Sequence, residues 1–176
     1  SFFQTNPACA ELLYRKAIDY LLEDLPPNQE ILDLFCGTGT IAQLIATRNP
    51  SARITGVDIV PEAIEDAIEN ASKNKLTDVS FHAADVGKFL KEHPQYEGNI
   101  GALILDPPRA GIAPKTLLKT IALGANRIVY ISCNPSTQAR DASTLVDAGY
   151  TLEKFCLVDQ FPHTGHIESI AKFIKL

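Results

Sequence analysis

One cysteine stands where a thiol could act as a nucleophile. Cys133 follows the apolar run of residues 127–132, a predicted strand, and precedes a predicted helix of about residues 136–148. A thiolate is favoured at a helix N-terminus because the N–H dipoles there are positive. The alternative is a buried, inert cysteine. Its place at a strand tip, beside other predicted site loops, favours the nucleophile.

One carboxyl group stands in an unusual place for an acid. Glu168 lies among apolar residues near the start of a predicted strand, residues 166–174. Such a setting is costly for a carboxylate without a partner or a task, and it would raise the pKa. The alternative is a paired structural acid. His163, His166 and Glu168 could also hold a metal ion, but their spacing does not support this, and we predict no metal site.

A glycine-rich turn predicts a cofactor site. An apolar run of residues 31–36 stops at Gly37 and Gly39 and then resumes, which indicates a strand, a tight turn and a helix. The glycines let the backbone approach a ligand, and the helix N-terminus points its N–H groups at it. Residues 37–42 also satisfy the G-x-G-x-x-A dinucleotide pattern. The turn alone therefore leaves open a nicotinamide cofactor or S-adenosylmethionine.

Two acids follow the next two predicted strands. Asp58 ends the strand of residues 53–58 and lies 19 positions beyond Gly39, the spacing expected of a ribose ligand. Its alternative role is to cap the helix that starts near Pro61. Asp85 is the last residue of the segment 79–85, a predicted strand with this acid just past its end. It could reach an adenine amino group or cap a helix of about residues 86–92. Both readings of Asp85 stay open.

A third acid precedes two prolines. Asp106 follows the predicted strand of residues 100–105, and Pro107 and Pro108 stiffen the chain after it. This fixes Asp106 at the carboxyl edge of the sheet, where open α/β sheets bind ligands. An acid or amide before two prolines is typical of methyltransferases that act on planar nitrogen heterocycles. Arg109 stands where the amine-methylating versions carry an aromatic residue, which weighs against exocyclic amine chemistry.

The composition is that of one ordinary domain. The chain has 176 residues, 45% of them apolar, and a net charge of −5 with a pI near 5.3. This balance argues against a surface that grips nucleic acid throughout. The four cysteines include no C-x-x-C pair, so we expect reduced thiols and a cytoplasmic location. No apolar run reaches membrane-spanning length. Because the chain starts at Ser1, we expect a piece of a longer protein.

Apolar periodicity predicts the elements that position these residues. A first helix starts near residue 7 or 8, with Asn6 as N-cap, and ends by Pro26. Its predicted buried stripe is Leu12, Leu13, Ala17 and Leu21. A helix of residues 61–74 has a predicted buried face of Ala63, Ile64, Ala67, Ile68 and Ala71. Predicted helices follow the first, second, third and fifth of five strands, and strands of residues 150–160 and 166–174 close the chain.

The order of five motifs resembles the S-adenosylmethionine-dependent RNA uracil-5-methyltransferases, over essentially the whole chain, as their C-terminal catalytic domain. The motifs are Phe-Phe-Gln-Thr-Asn (2–6), Leu-Asp-Leu-Phe-Cys-Gly-Thr-Gly-Thr (32–40), Asp-Pro-Pro-Arg-Ala-Gly (106–111), Ser-Cys-Asn-Pro (132–135) and Phe-Pro-His-Thr-Gly-His-Ile-Glu (161–168). The expected fold is a doubly wound, Rossmann-like α/β methyltransferase sheet, mostly parallel with a late antiparallel strand.

The resemblance implies a covalent mechanism. Carbon 5 of uracil is a poor nucleophile, so Cys133 would add to carbon 6, and Glu168 would remove the carbon 5 proton after methylation. Asp106 would orient the uracil edge or the methionine end of the cofactor. The cofactor contacts implied by similarity are Gln4, Phe35, Thr40 and Asp58. The implied partner is ribosomal or transfer RNA, and we expect a monomer.

Some features depart from the family or leave rivals open. Family members often carry Glu at the position of Asp58, and neither an N-terminal RNA-binding barrel nor an iron–sulfur cysteine cluster is visible. We therefore expect an RNA-binding region in a longer chain and weak RNA affinity here. The rivals are a nicotinamide oxidoreductase, a non-catalytic cofactor-binding or RNA-docking module, and an RNA cytosine-5-methyltransferase. The last usually displays a Pro-Cys pair, which is not seen at Cys133.

Overall fold

The computed structural model describes residues 7–159 and 167–176. Their strands are β1 (Glu30–Leu34), β2 (Arg53–Asp58), β3 (Val79–Ala83), β4 (Ala102–Leu105), β5 (Arg127–Ser132), β6 (Tyr150–Val158) and β7 (Glu168–Lys175). Their helices are α1 (Pro7–Leu22), α2 (Thr40–Arg48), α3 (Pro61–Lys73), α4 (Val86–Glu92), α5 (Pro114–Ala122) and α6 (Pro135–Asp147), with a 3₁₀ turn at Pro94–Tyr96.

The strands form one seven-stranded sheet in the order β3-β2-β1-β4-β5-β7-β6. Strands β1 to β5 run parallel, whereas β7 is antiparallel to both β5 and β6. The order reverses after β1–β2–β3, which makes the sheet doubly wound. The predicted α/β sheet with a late antiparallel strand is confirmed.

The strand register brings the ends of four parallel strands to one edge of the sheet, here named the carboxyl edge. Leu34 of β1 pairs with Val57 of β2 and with Leu105 of β4, and Leu105 pairs with Tyr130 of β5. Because β7 runs the other way, it begins at this edge. Ser169, its second residue, pairs with Ser132 at the end of β5. The reversal of β7 thus brings a residue of the last strand to the edge where β5 ends.

Helices cover both faces of the sheet. α1, α2 and α3 contribute to the core on one face, and α4, α5 and α6 to the core on the other. Leu13, Ala17 and Leu21 are buried as predicted, but Leu12 is 44% exposed, and in α3 Ile68 is 52% exposed. The prediction of burial is wrong for these two residues. The sheet covers a stripe spaced mainly four residues apart, and each lies one position outside it.

One helix is not predicted from the sequence. α5 begins at Pro114 at the first helical position, where proline is favoured, and buries Leu117 and Thr120. Pro114 after the left-handed Gly111 is the signal that could have located it. β4 begins at Ala102 rather than at residue 100. In the part of the chain described here, no helix is long and apolar enough to cross a membrane.

Candidate active site

Cys133 and Glu168 lie near each other at the carboxyl edge. Ser132 and Ser169 form the last pair of the β5–β7 ladder, and Cys133 and Glu168 are the next residues on the two strands at that end. Their electrostatic coupling agrees with this placement, because the charge of Glu168 raises the pKa of Cys133. The structure therefore brings the predicted nucleophile and the predicted base together, although they are 35 residues apart in sequence.

The pKa of the Cys133 thiol is raised, mainly by burial and then by Glu168, with Arg109 acting in the opposite direction. The expectation that the helix N-terminus favours the thiolate is therefore wrong as a statement of net effect. α6 does begin next to the thiol, at Pro135, with Asn134 as its N-cap. Desolvation and a neighbouring carboxylate both disfavour a negative sulfur, and they set the direction of the shift in this pKa.

The two carboxyl groups beside Cys133 also have raised pKa values. Burial raises the pKa of Glu168, as its apolar sequence context predicts. The pKa of Asp106 is raised to about 7 by burial, then by the charges of Glu168 and Asp58. Perturbed acids of this kind concentrate at functional sites, because structure elsewhere rarely tolerates them. Cys133, Glu168 and Asp106 thus form a coupled group.

The loop that carries Asp106 is fastened to α6. The Asn134 side-chain amide and the Thr137 hydroxyl both donate to the Arg109 carbonyl, each at 3.1 Å. Asp141, which is buried, accepts the Ile112 N–H at 2.9 Å. Helix α6 therefore holds the loop after β4 close to the end of β5.

The glycine turn after β1 has the predicted strand–turn–helix form. Gly39 has φ 71° and caps α2, and a Cβ at Gly39 would lie 2.4 Å from Cε1 of Phe81. At Gly37, with φ 53°, a Cβ would meet nothing within 4 Å. Phe35 before the turn also has a positive φ of 65°. The turn is tightly packed below Gly39 and open at Gly37, which leaves room for a ligand beside the backbone.

Asp58 bridges the glycine turn and the start of α3. One carboxylate oxygen accepts the Gly37 N–H and the other accepts the Val60 N–H, both at 2.9 Å. Each oxygen retains a further lone pair, so ribose hydroxyls could still bind. The capping alternative is wrong, because the N-cap of α3 is Val60 and no side chain caps this helix; Asp58 instead accepts the N–H of Val60 itself. The ribose contact stays a prediction.

Asp85 caps α4. Its carboxylate accepts the Lys88 N–H at 2.8 Å, which confirms the capping interpretation. The contact with adenine stays a prediction. Thr40 is the first residue of α2, and its hydroxyl lies 3.4 Å from that of Thr38 at the open side of the turn.

Asp33 is a site residue that the sequence analysis misses. It is fully buried in β1, and one oxygen accepts the Ala42 N–H of α2 at 3.1 Å. The other oxygen has no hydrogen-bond partner among the described residues. Burial and the charge of Asp106 raise its pKa well above the usual value. The available signal is an acid inside an apolar strand, which is costly without a partner.

Four residues to which the sequence analysis gives a possible role, Gln4, Asn6, His163 and His166, lie outside the described residues. Within the described ranges, no group of three His, Cys, Asp or Glu side chains could hold a metal ion.

The glycine turn, the acids at the strand ends and the seven-stranded sheet define a class of protein. Residues 25–160 match the family described as methyltransferase domain. The chain belongs to this family. An acid after the second strand and a glycine turn after the first are thus placed where this class of domain binds its ligand, at the carboxyl edge.

More particular similarities lie within RNA methyltransferases. A 23S rRNA (uracil(1939)-C(5))-methyltransferase RlmD of Klebsiella pneumoniae is 40% identical over 172 residues, which are 98% of this chain and 38% of that protein. An uncharacterized RNA methyltransferase of Clostridium acetobutylicum is 41% identical over 170 residues, covering 97% of this chain and 36% of that protein. The chain thus spans little more than a third of these relatives.

A solved structure is similar over nearly the whole chain. It is the Pyrococcus abyssi tRNA (uracil-54, C5)-methyltransferase in complex with S-adenosyl-L-homocysteine, with a TM-score of 0.77 and 32% identity. The match covers 99% of this chain and 40% of that one. Together with the sequence matches, it confirms the resemblance drawn from the five motifs.

Proposed function

We propose that this chain is the catalytic domain of an RNA methyltransferase that transfers a methyl group from S-adenosylmethionine to carbon 5 of a uridine in ribosomal or transfer RNA. The observation that carries the proposal is that Cys133 interacts electrostatically with both Glu168 and Asp106 at the carboxyl edge. The names of the relatives, uracil-C5-methyltransferases of ribosomal and transfer RNA, support the same reaction.

The charges of the site favour S-adenosylmethionine over a nicotinamide dinucleotide. Asp106 is coupled to Glu168, Asp58 and Asp33, and in each case the neighbouring carboxylate raises a pKa. The pyrophosphate of a dinucleotide would bring further negative charge to this group. S-adenosylmethionine instead carries a sulfonium and an ammonium group, which relieve the repulsion between the acids.

The residues of this chain fit the cofactor in four places. The space beside Gly37 lets the cofactor come close to the backbone, and Asp58 has lone pairs left for the ribose. Asp85 lies at the end of β3 for the adenine, and Asp106 at the end of β4 for the methionine part or the uracil edge. Bound S-adenosylmethionine supplies an electrophilic methyl group.

Two side chains carry out the covalent chemistry. The thiolate of Cys133 forms a bond to carbon 6 of the uracil, and the electron pair of the carbon 5–carbon 6 double bond moves towards carbon 5 and the carbonyl oxygen. After methylation, Glu168 takes the proton from carbon 5. That electron pair re-forms the double bond, and the thiolate of Cys133 leaves. The raised pKa of Glu168 improves it as a proton acceptor.

The test is a trap with 5-fluorouridine. Fluorine at carbon 5 cannot leave as a proton, so the reaction stops at a methylated covalent adduct. We expect this chain, mixed with S-adenosylmethionine and excess 5-fluorouridine RNA, to form an adduct that mass spectrometry maps to Cys133. Cys133→Ala should abolish it. Cys156→Ala, which alters a thiol on β6, should leave it intact.

The outcomes separate chemistry from RNA binding. An adduct that forms only with a longer protein carrying an RNA-binding region would support the reaction and place RNA docking outside this chain. The proposal is rejected if neither form yields an adduct with saturating RNA and cofactor. Quenching of NADH fluorescence by this chain at micromolar concentration would favour the oxidoreductase instead.

A further inference from the structure

The position of Glu168 is not fixed by the β5–β7 ladder alone. That ladder ends at the pair Ser132–Ser169, so it stops one residue short of Glu168. On its other side Glu168 pairs with Val158, the last residue of the edge strand β6. The predicted base therefore lies at the end of its strand, beyond the last hydrogen-bonded pair with the strand that carries Cys133. Something else must hold this strand end against β5.

A buried side-chain bridge performs this task. The Gln138 amide donates to the Tyr130 carbonyl of β5 at 2.9 Å, and its oxygen accepts from the Ser169 hydroxyl at 2.7 Å. The Ser169 hydroxyl also lies 3.3 Å from the Ser132 carbonyl. Gln138 is 3% exposed and Ser169 is fully buried. Because a buried polar group without a hydrogen-bond partner is costly, these bonds constrain the distance between Gln138, Ser169 and β5.

The helix that bears Gln138 also follows Cys133 directly. Asn134 caps α6, and its carbonyl accepts the Gln138 N–H at 3.1 Å, within the first turn. The thiol before the helix and the amide one turn into it therefore belong to one rigid unit. A tie from Gln138 to Ser169 sets the start of β7 relative to Cys133.

We propose that Gln138 is a positioning residue that, through Ser169, holds the carboxyl group of Glu168 opposite Cys133. The proposal rests on the proposed function for its catalytic meaning, but the positioning itself can be measured without RNA. The hydrogen bonds of the Gln138 side chain go to Tyr130 and Ser169. Its effect passes through one neighbour, Ser169, to the residue next in the chain.

The first experiment measures the pH dependence of iodoacetamide alkylation at Cys133, resolved by peptide mass spectrometry. Glu168 raises the pKa of Cys133, so Glu168→Gln should move the profile to lower pH. We expect Gln138→Met and Ser169→Ala to move it in the same direction, because the freed carboxylate withdraws. Combined with Glu168→Gln, neither should add a further shift.

Two controls distinguish positioning from loss of stability. Tyr150→Phe removes another buried hydrogen bond, from the Tyr150 hydroxyl to the Ala125 carbonyl, distant from the carboxyl edge. It should lower the melting temperature and leave the Cys133 profile unchanged. Ser169→Thr retains the hydroxyl and should restore the wild-type profile. Wild-type profiles in both Gln138→Met and Ser169→Ala, while Glu168→Gln shifts, would overturn the proposal, as would no shift in Glu168→Gln itself.

The second experiment measures turnover with S-adenosylmethionine and uridine RNA, using this chain or a longer form that binds RNA. Gln138→Met should form the covalent adduct at least as fast as wild type but resolve it about 10–100-fold more slowly, because a misplaced base is a poor one. The fraction of protein held as adduct should therefore rise. Wild-type resolution in this variant would refute the positioning role, whereas no adduct in wild type would refute the proposed function.

Discussion

At the scale of single residues, the site is distinguished by buried carboxyl groups whose pKa values are raised. Asp106, Glu168 and Asp33 all have raised pKa values, with burial as the largest cause in each case. One oxygen of Asp33 is buried and accepts no hydrogen bond from the described residues. Such a group stores unfavourable free energy that a cationic ligand would release. Ligand binding and proton binding should therefore be coupled.

The coupling predicts how cofactor affinity depends on pH. Asp106 has a pKa of about 7, so below that value it holds a proton that a cationic ligand must expel. Affinity for S-adenosylmethionine should therefore rise from pH 6 towards pH 8, by up to about tenfold per pH unit for one released proton, and then level off. Calorimetric titration in buffers of different ionisation enthalpy measures the released protons.

The control for this coupling is a pair of Asp→Asn variants. Asp106→Asn should weaken binding and flatten its pH dependence, since the titrating group is gone. Asp147→Asn, at the exposed end of α6, changes the net charge equally and should leave the profile as it is. Equal effects of the two variants would contradict the coupling.

Glu168 offers a second test at this scale. Glu168→Gln keeps the shape of the side chain but cannot accept the carbon 5 proton. We expect kcat to fall about 10²–10⁴-fold, as is typical for loss of a general base, while the adduct with ordinary uridine RNA becomes long-lived. Denaturing gels with labelled RNA would show it. A variant that loses turnover without accumulating adduct would assign Glu168 to an earlier step.

At the scale of elements, strand ends and helix starts are what bring the site together. β1 leads into the glycine turn, β4 into the Asp106 loop, β5 into Cys133, and α6 fastens the last two. β7 enters from the opposite direction and contributes Glu168. Each element supplies one group at a defined place, so small changes in a turn should have local consequences.

The two glycines of the turn provide a matched comparison. Both have positive φ, so alanine costs about 1 kcal/mol or more of strain at either. At Gly39 the new Cβ would also collide with Phe81 at 2.4 Å, whereas at Gly37 it would enter open space. Gly39→Ala should therefore lose more stability in thermal melts. Gly37→Ala should keep more of the fold and lose affinity for S-adenosylmethionine.

The affinity of Gly37→Ala tests whether the cofactor approaches the glycine turn at this residue. If Gly37→Ala bound S-adenosylmethionine as tightly as wild type in calorimetry, the open space at that residue would not be where the cofactor approaches. The melting temperatures of both variants, measured without ligand, report the loss of stability separately from the loss of cofactor affinity.

At the scale of the whole molecule, the chemistry and a charged network occupy opposite edges of the sheet. Arg127, at the start of β5, donates to three carbonyls at and just after the end of α1, those of Leu21, Glu23 and Asp24. Lys172, buried in β7, pairs with Glu23 at 2.9 Å. This network ties the first helix to the last strands.

The whole-molecule charge predicts weak binding to RNA. With a net charge of −5, this chain should bind uridine-containing RNA with a Kd in the micromolar range or weaker at physiological salt. Fluorescence anisotropy with a labelled oligonucleotide, repeated across salt concentrations, measures both the affinity and its slope. A nanomolar, strongly salt-dependent complex formed by this chain alone would contradict the prediction.

The sequence determined the parts of this protein that depend on neighbours along the chain. Apolar runs ending in Gly37, Asp58, Asp106 and Cys133 locate the strand ends, and parallel strands bring their ends to one edge whatever their order. β2 spans the predicted residues 53–58. Local hydrogen bonding and alternation of side chains suffice for such predictions.

Only the tertiary structure decided what depends on residues distant in sequence. The sign of the Cys133 pKa shift follows from burial and from a carboxylate 35 positions away, and the orphaned oxygen of Asp33 depends on how α2 packs on β1. The bridge from Gln138 to Ser169 joins a helix to a strand across the same core. Desolvation and side-chain hydrogen bonding are properties of the packed interior, and no local pattern in the sequence encodes them.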